Sequence, residues 1–306
     1  MQIPGLSLRR IPAGRAAANV PVFRLDYHAD PSMVGERLEK LRSAYTSDAR
    51  WRREMEIEYS ALEGELLYPE WNRGLNVCEP FDVSDPEYWT IYHACDPHGR
   101  TPHAFLWEAF NKHGDQVVCG DLWSGRDFPG ERFTVAQYAL VLKWLESDSK
   151  QKPEQFSWAN GKALTIYDRV MDTHGLAVNS DQGKDFFESY RDHDLYYRPA
   201  LKGEVRLAVA RDEIGAGLLA KEFKLGSDGH KHSKLTVFAG CIETISEFER
   251  VRYPEGEPER PAHERPMTYR KHCLDCLHYI QTKRPEFVDQ RPRKSTFRPL
   301  YPAVGY

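Results

Sequence analysis

The stretch from Tyr88 to Trp123 constrains the fold more tightly than any other part of the sequence. Three apolar-rich runs, Thr90–Cys95, His103–Phe110 and Gln116–Leu122, follow one another with only short connections between them. Runs of this length bounded by Pro97, Gly99 and the turn Lys112-His113-Gly114-Asp115 read as three strands that pair through tight turns, hence antiparallel. Asp96 stands where the first strand stops, just ahead of Pro97. A carboxylate there has core on one side and water on the other, a position suited to holding a metal ion. Capping the turn is the simpler use of the same residue.

Downstream, helical and strand patterns alternate. Phe133–Ser147 is an amphipathic helix with Val135, Tyr138, Ala139, Leu142 and Leu145 on one face. Ala163–Met171 reads as a fourth strand ending at Asp172, Gln182–His193 as a helix, and Leu195–Ala200 as a fifth strand stopped by Pro199. A long helix over Glu204–Lys224, a short strand over Lys234–Phe238 and helices over Cys241–Val251 and Arg270–Lys283 complete the order. Three hairpin-linked strands followed by strands that need crossover helices predict an α/β fold with a mixed sheet flanked by helices. A crossover strand can lie parallel beside the first. Asp96 and Asp172 then end neighbouring strands at the edge where open α/β sheets build their sites.

Upstream, residues 1 to about 20 read as a loose arm and Val20–Tyr27 as a strand. A helix begins at Asp30 or Ser32, a second helical stretch covers Ser47–Glu63, and Glu65–Trp71 is a strand broken by proline. A polar connector over 72–87 marks a boundary. The expected organisation is therefore an arm and linker segment over 1–87, a main domain over 88–283 and a Pro/Arg-rich tail over 284–306. No apolar run approaches the length needed to span a bilayer, so no membrane partner is expected. The six cysteines are scattered through apolar segments and read as reduced thiols. A net charge of −4 argues against a bulk electrostatic clamp on nucleic acid, though not against a local basic groove around an acidic, metal-filled centre.

A third acid, Asp275, flanks the face of the last helix formed by Leu274, Leu277 and Ile280. Hard carboxylate oxygens supplied from two strands and a helix suit two Mg²⁺ or Mn²⁺ ions, one activating water and the other stabilising a leaving oxygen. With 46 Asp and Glu in the chain, spacing alone does not single these three out.

Several motifs in order narrow the choice. They are Ala49-Arg50-Trp51-Arg52-Arg53-Glu54 through Gly64-Glu65-Leu66-Leu67-Tyr68-Pro69-Glu70-Trp71, then Cys95-Asp96-Pro97 with Pro102-His103-Ala104. Asp168-Arg169-Val170-Met171-Asp172 follows, then Lys234-Leu235-Thr236-Val237-Phe238 with Cys241 and Glu247, and finally His272 with Leu274-Asp275-Cys276-Leu277-His278-Tyr279. Over roughly residues 45–283 this order resembles the large subunit of tailed-bacteriophage terminases, specifically its RNase H-like nuclease domain and the segment before it. The resemblance implies an endonuclease that cuts concatemeric viral double-stranded DNA, with Asp96, Asp172 and Asp275 holding two divalent ions. Asp168 and then Asp121 are alternatives for the second acid.

The resemblance also implies a portal protein and a small terminase subunit as partners, in the cytoplasm of the infected host. No G-x-x-x-x-G-K-[ST] loop occurs, since Gly161-Lys162 and Gly183-Lys184 lack its other positions. The motor ATPase is therefore expected on a missing N-terminal part or on another chain. Candidate phosphate contacts are Lys202 first, then Arg206, Lys231, Lys234 and Lys271, with Gly226–Ser233 as a flap over DNA. The aromatics Trp107, Trp123, Trp144 and Trp158 are expected in the core. Two other readings use the same residues: a resolvase- or integrase-type nuclease, and an inactive module for docking. In the docking reading the acids diverge, or one is paired to Arg169 or Lys271.

Overall fold

Near-continuous apolar runs suit strands covered on both faces, and the central three form such strands. The computed structural model describes residues 6–11, 20–43, 51–52, 55–56, 66–98, 102–123, 127, 133–176, 183–201, 203–225, 231–253 and 271–289. In chain order the elements are β1 (Leu6–Ile11), β2 (Val20–Leu25), α1 (Gly35–Ser43), α2 (Arg73–Asn76), β3 (Val77–Cys78), β4 (Trp89–Asp96), β5 (Ala104–Asn111) and β6 (Gln116–Trp123). There follow α3 (Val135–Glu146), β7 (Ile166–Met171), α4 (Phe186–Arg191), β8 (Arg198–Pro199), α5 (Glu204–Leu218), β9 (Ala220–Leu225), β10 (Lys231–Ser233), β11 (Leu235–Phe238), α6 (Ile242–Arg250) and α7 (His272–Gln281).

Among the described residues the main sheet has seven strands in the order β3-β11-β6-β5-β4-β7-β8. The pairs β4/β5 and β5/β6 are antiparallel, and every other pair is parallel. This is the mixed sheet expected from the element order, with helices on both faces. On one face Glu146 of α3 meets Trp107 and Tyr190 of α4 meets His103. On the other, Thr244 of α6 meets Asp121, while His272 and Tyr279 of α7 meet Asp96 and Asp172. α5 packs against α7. The helix α3 starts with a capping box, in which Thr134 Oγ1 accepts from the Gln137 N–H while the Gln137 side chain accepts from the Thr134 N–H.

Gly120 shows how closely the layers approach. A Cβ built on it would lie 2.5 Å from Cε1 of the fully buried Phe156 ring, which belongs to a 3₁₀ turn over Glu154–Ala159. That turn is tied to β6 by the Trp158 indole N–H, which donates to the Cys119 carbonyl at 2.9 Å. Gly120→Ala is therefore expected to destabilise the protein by about 1–3 kcal/mol through overpacking. Urea unfolding with an unchanged slope checks this.

Several elements differ from expectation. The arm contributes a strand, with β1 pairing antiparallel to β2 from Leu6↔Leu25 to Ile11↔Val20. The connector contributes α2 and β3, and Val77 and Cys78 pair with β11 at the sheet edge. Of the expected strand Glu65–Trp71, the described residues 66–71 form no strand: among them only Leu66 bridges, to Arg252, before the chain turns at Pro69. The fifth strand shrinks to Arg198–Pro199, because proline has no N–H to extend the ladder. The long helix stops at Leu218, where Lys221-Glu222-Phe223-Lys224-Leu225 changes to a two-residue period and forms β9 against β10.

The tail begins as a docked segment. Tyr92 Oη donates to the Glu286 carbonyl, and the Val288 N–H donates to Thr90 Oγ1. Trp107 and Trp158 are buried and Trp123 is partly so, but Trp144 is exposed on the outer side of α3. Most of Ser47–Glu63, residues 226–230 of the flap and the tail beyond 289 lie outside the described residues. No helix among the described residues is long and apolar enough to cross a membrane.

Candidate metal centre

The parallel pairing of β4 with β7 sets the site. Cys95 lies opposite Met171, and the Asp172 N–H donates to the Cys95 carbonyl at 3.1 Å. Asp96 and Asp172 therefore leave adjacent strands side by side, both almost fully buried. The geometry follows from the apolar pairs Ala94–Cys95 and Val170–Met171, whose pairing leaves the acid after each at the edge.

α7 lies across these strand ends. Cys273, Leu274, Leu277 and Ile280 bury its inner face, as the sequence pattern anticipates for the leucines and the isoleucine. Its first turn is held by Glu247 of α6, whose carboxylate accepts from the Leu274 N–H at 2.7 Å, a favourable place for an acid. Burial nevertheless pushes the Glu247 carboxyl well above its ordinary range. Further along, Tyr68 Oη lies 2.6 Å from His278 Nε2 and joins the helix to the segment before the sheet.

At positions i, i+3 and i+7 of α7 stand His272, Asp275 and Tyr279, which share one helix face. His272 Nδ1 lies 2.9 Å from Asp96 Oδ2, and Tyr279 Oη donates to Asp172 Oδ2 at 2.9 Å. His98, two residues past the strand, brings Nε2 to 3.1 Å from the same Asp96 oxygen and 3.2 Å from His272 Nδ1. Burial alone would raise the Asp96 carboxyl, but the hydrogen bonds from His272 and His98 outweigh it and hold the group below its usual range. The hydrogen bond to Asp96 raises His98 in return, against the effect of burial.

These separations fit a cation. Ligands at about 2.1 Å from a metal stand roughly 3.0 Å apart when adjacent in an octahedron and about 3.4 Å apart in a tetrahedron. The three observed distances, 2.9, 3.1 and 3.2 Å, fall close to that interval. Among the described residues, Asp96, His98 and His272 form the triad of acidic, histidine or cysteine ligands whose donor atoms all lie within 4.8 Å of one another.

The three acids gather without closing into a cage of their own. Burial first, then the charges of Asp96, Asp275 and Asp172, push the Tyr279 phenol far above its ordinary value. Asp275 itself is paired to Lys271 Nζ at 2.7 Å, and His278 Nδ1 lies 3.5 Å from the same oxygen. Burial opposes ionisation of Asp275, but His278 and Lys271 keep it below its ordinary value.

The two alternative acids are engaged elsewhere. Asp168 accepts from Arg198 Nε at 2.7 Å, and as four residues of strand separate it from Asp172 it lies roughly 13 Å down β7. Asp121 accepts from the Thr244 N–H and Oγ1 at 2.8 and 2.9 Å, at the start of α6.

Of the basic candidates, Arg206 is exposed in the first turn of α5. Lys234 is at the opposite edge: its carbonyl accepts from the Gln116 N–H where β6 begins, a whole strand length from Asp96. That removes it from any contact with a phosphate at the acidic edge. Lys202 lies outside the described residues, and only the backbone of Lys231 is described. Lys271 is at the centre, but paired to Asp275.

Reading the sequence assigned no site role to His98, His272 or Tyr279. His272 and Tyr279 flank Asp275 at helical spacing, a signal that was available. His98 follows a Pro97 turn, where spacing does not fix direction.

No protein-family model matches the chain, and no curated protein does. Among solved structures it is similar to the large terminase of a thermophilic bacteriophage, at 14% identity and a TM-score of 0.54, over 84% of this chain and 54% of that one. It also aligns with the nuclease domain of the P22 large terminase (15% identity, TM-score 0.48, 73% of this chain and 94% of that one). A third alignment is with the nuclease domain of the bacteriophage SPP1 large terminase, solved with bound Mn (12%, 0.43, 72% and 99%). The chain spans about half the length of the thermophilic phage's protein. At such identities the likeness is one of architecture. The chain thus has the RNase H-like α/β fold that occurs in phage large terminases.

Proposed function

We propose that the chain is a metal-dependent DNA endonuclease of the terminase large-subunit kind, cutting concatemeric phage DNA during packaging. The observation that carries this reading is the adjacency of Asp96 and Asp172 at two parallel strand ends, with α7 bringing Asp275 and His272 across them. Divalent ions, Mg²⁺ or Mn²⁺, would be held by Asp96, Asp172 and Asp275 with nitrogen donors from His272 and His98, and when bound would activate water and neutralise charge on the phosphodiester. The chain's own residues prepare that site. His98 and His272 keep Asp96 ionised, and Lys271 balances the charge of Asp275 until an ion replaces it. Lys202 and Arg206 would bind the DNA backbone. The motor ATPase, portal and small terminase subunit are the partners this role requires.

A second reading has its own observation. The ion pair of Lys271 with Asp275 is the arrangement expected of a docking module whose acids are satisfied by protein. Incubation of the purified chain with supercoiled plasmid and Mn²⁺, Mg²⁺ or EDTA separates the two. Nicking or linearisation with metal that EDTA stops is expected. Intact plasmid under all three conditions, from protein that is folded by circular dichroism, would favour the docking module.

A further inference from the structure

We propose that Tyr279 is a positioning residue, fixing the Asp172 carboxylate so that one of its oxygens is turned toward the metal centre. This rests on the nuclease reading and deepens it. A carboxylate on a short side chain at a strand end can rotate about its last bond, and a ligand free to rotate loses affinity for a cation. Tyr279 restricts that rotation. Its hydroxyl donates to Asp172 Oδ2 at 2.9 Å, from a ring almost completely buried under α7. Oδ1, the other oxygen, lies 3.4 Å from the hydroxyl of Thr173.

Donation is the role open to the phenol here. An ionised carboxylate oxygen only accepts, so in the bond to Asp172 Oδ2 the phenol supplies the proton. The helix makes the arrangement rigid. His272 and Tyr279 lie seven residues apart on one face of α7, and each bonds the acid at the end of a different strand. α7 thus acts as a brace that sets Asp96 and Asp172 relative to each other. Groups that orient a metal ligand in this way are as much part of a site as the ligand, and losing one typically weakens metal binding by about 10–100-fold.

The test is Mn²⁺ binding to the full chain, read by the loss of free-ion electron paramagnetic resonance signal, with no DNA present. Tyr279→Phe is expected to raise the Mn²⁺ concentration for half-saturation about tenfold, and to raise the metal needed for half-maximal plasmid cleavage in step. 4-Aminophenylalanine at 279, which keeps an N–H donor on the same ring, should recover most of the affinity. That comparison stands even if the phenylalanine variant is less stable. Equal Mn²⁺ affinity in wild type and Tyr279→Phe would overturn the positioning role, as would a loss that 4-aminophenylalanine fails to recover. Failure of the wild type itself to bind Mn²⁺ would instead sink the nuclease reading on which the role depends.

Discussion

Asp96→Asn is expected to lower metal-dependent plasmid cleavage by roughly 10³-fold, the scale lost when one preorganised electrostatic group is removed from a water-excluded site. The substitution keeps the shape of the side chain and one acceptor oxygen, so the strand end should remain folded. It removes the charge on which His98 and His272 converge. Gel densitometry over a metal titration, beside a melting curve for each protein, checks the effect. A variant that cuts as well as the wild type would remove Asp96 from the chemistry.

The same substitution alters the dependence of stability on pH. Asp96 is held below the usual carboxylate range, so its stabilising contribution is present above that range and lost as pH falls through it. His98 is raised, so its contribution is complete at lower pH and lost as pH climbs through its raised value. The pair therefore stabilises most between these limits. The stability gap between wild type and Asp96→Asn should be widest there and narrow on the acid side.

The second large effect lies on the opposite face of the sheet. Glu146→Ala is expected to cost about 3–5 kcal/mol, because it leaves a buried guanidinium without its counter-charge. Arg169 NH1 donates to Glu146 Oε1 at 2.8 Å, and its NH2 makes a second, shorter bond to Oε2. The Trp107 indole N–H donates to the same carboxylate at 3.1 Å, and His93 stacks on Trp107 between them. Burial, then the charge of Arg169, keeps His93 neutral, so it cannot replace the lost acid. Arg169 belongs to β7, three residues before Asp172 but on the opposite face of the sheet. Urea unfolding measures the loss. Glu146→Gln, which retains acceptor capacity for Trp107, should cost less.

Much of this architecture was legible because it rests on strong local patterns. The run from Thr90 to Leu122 is apolar enough to be buried on both sides, and its turns leave few alternatives to a meander. The crossover order allows Asp172 to end a strand beside Asp96, and the parallel pairing of β4 with β7 puts it there. Where the sequence misled, a local pattern was overridden by its context. Leu195–Ala200 has strand composition, but Pro199 limits its pairing. Residues 220–225 extend a helical pattern across Gly215 and Gly217, yet change period and pair with β10.

The site was less legible than the fold. Asp168 and Asp172 share a strand face, and nothing local separates them. Only the position of Arg198 on the neighbouring strand commits Asp168 to an ion pair. Asp121, the last of the alternatives, is committed by α6, which offers it the Thr244 N–H and hydroxyl. The charge of Lys234 suggests a phosphate contact, while the parallel pairing of β11 with β6 carries it to the far edge.

The measurement that tests the central claim most directly is a crystal structure of the chain soaked in Mn²⁺, with anomalous diffraction recorded at the manganese edge. One or two peaks are expected within about 2.3 Å of carboxylate oxygens of Asp96 and Asp172, with Lys271 swung away from Asp275. Peaks confined to other acids, or none while Lys271 stays on Asp275, would contradict the assignment of this edge as a metal-dependent nuclease centre.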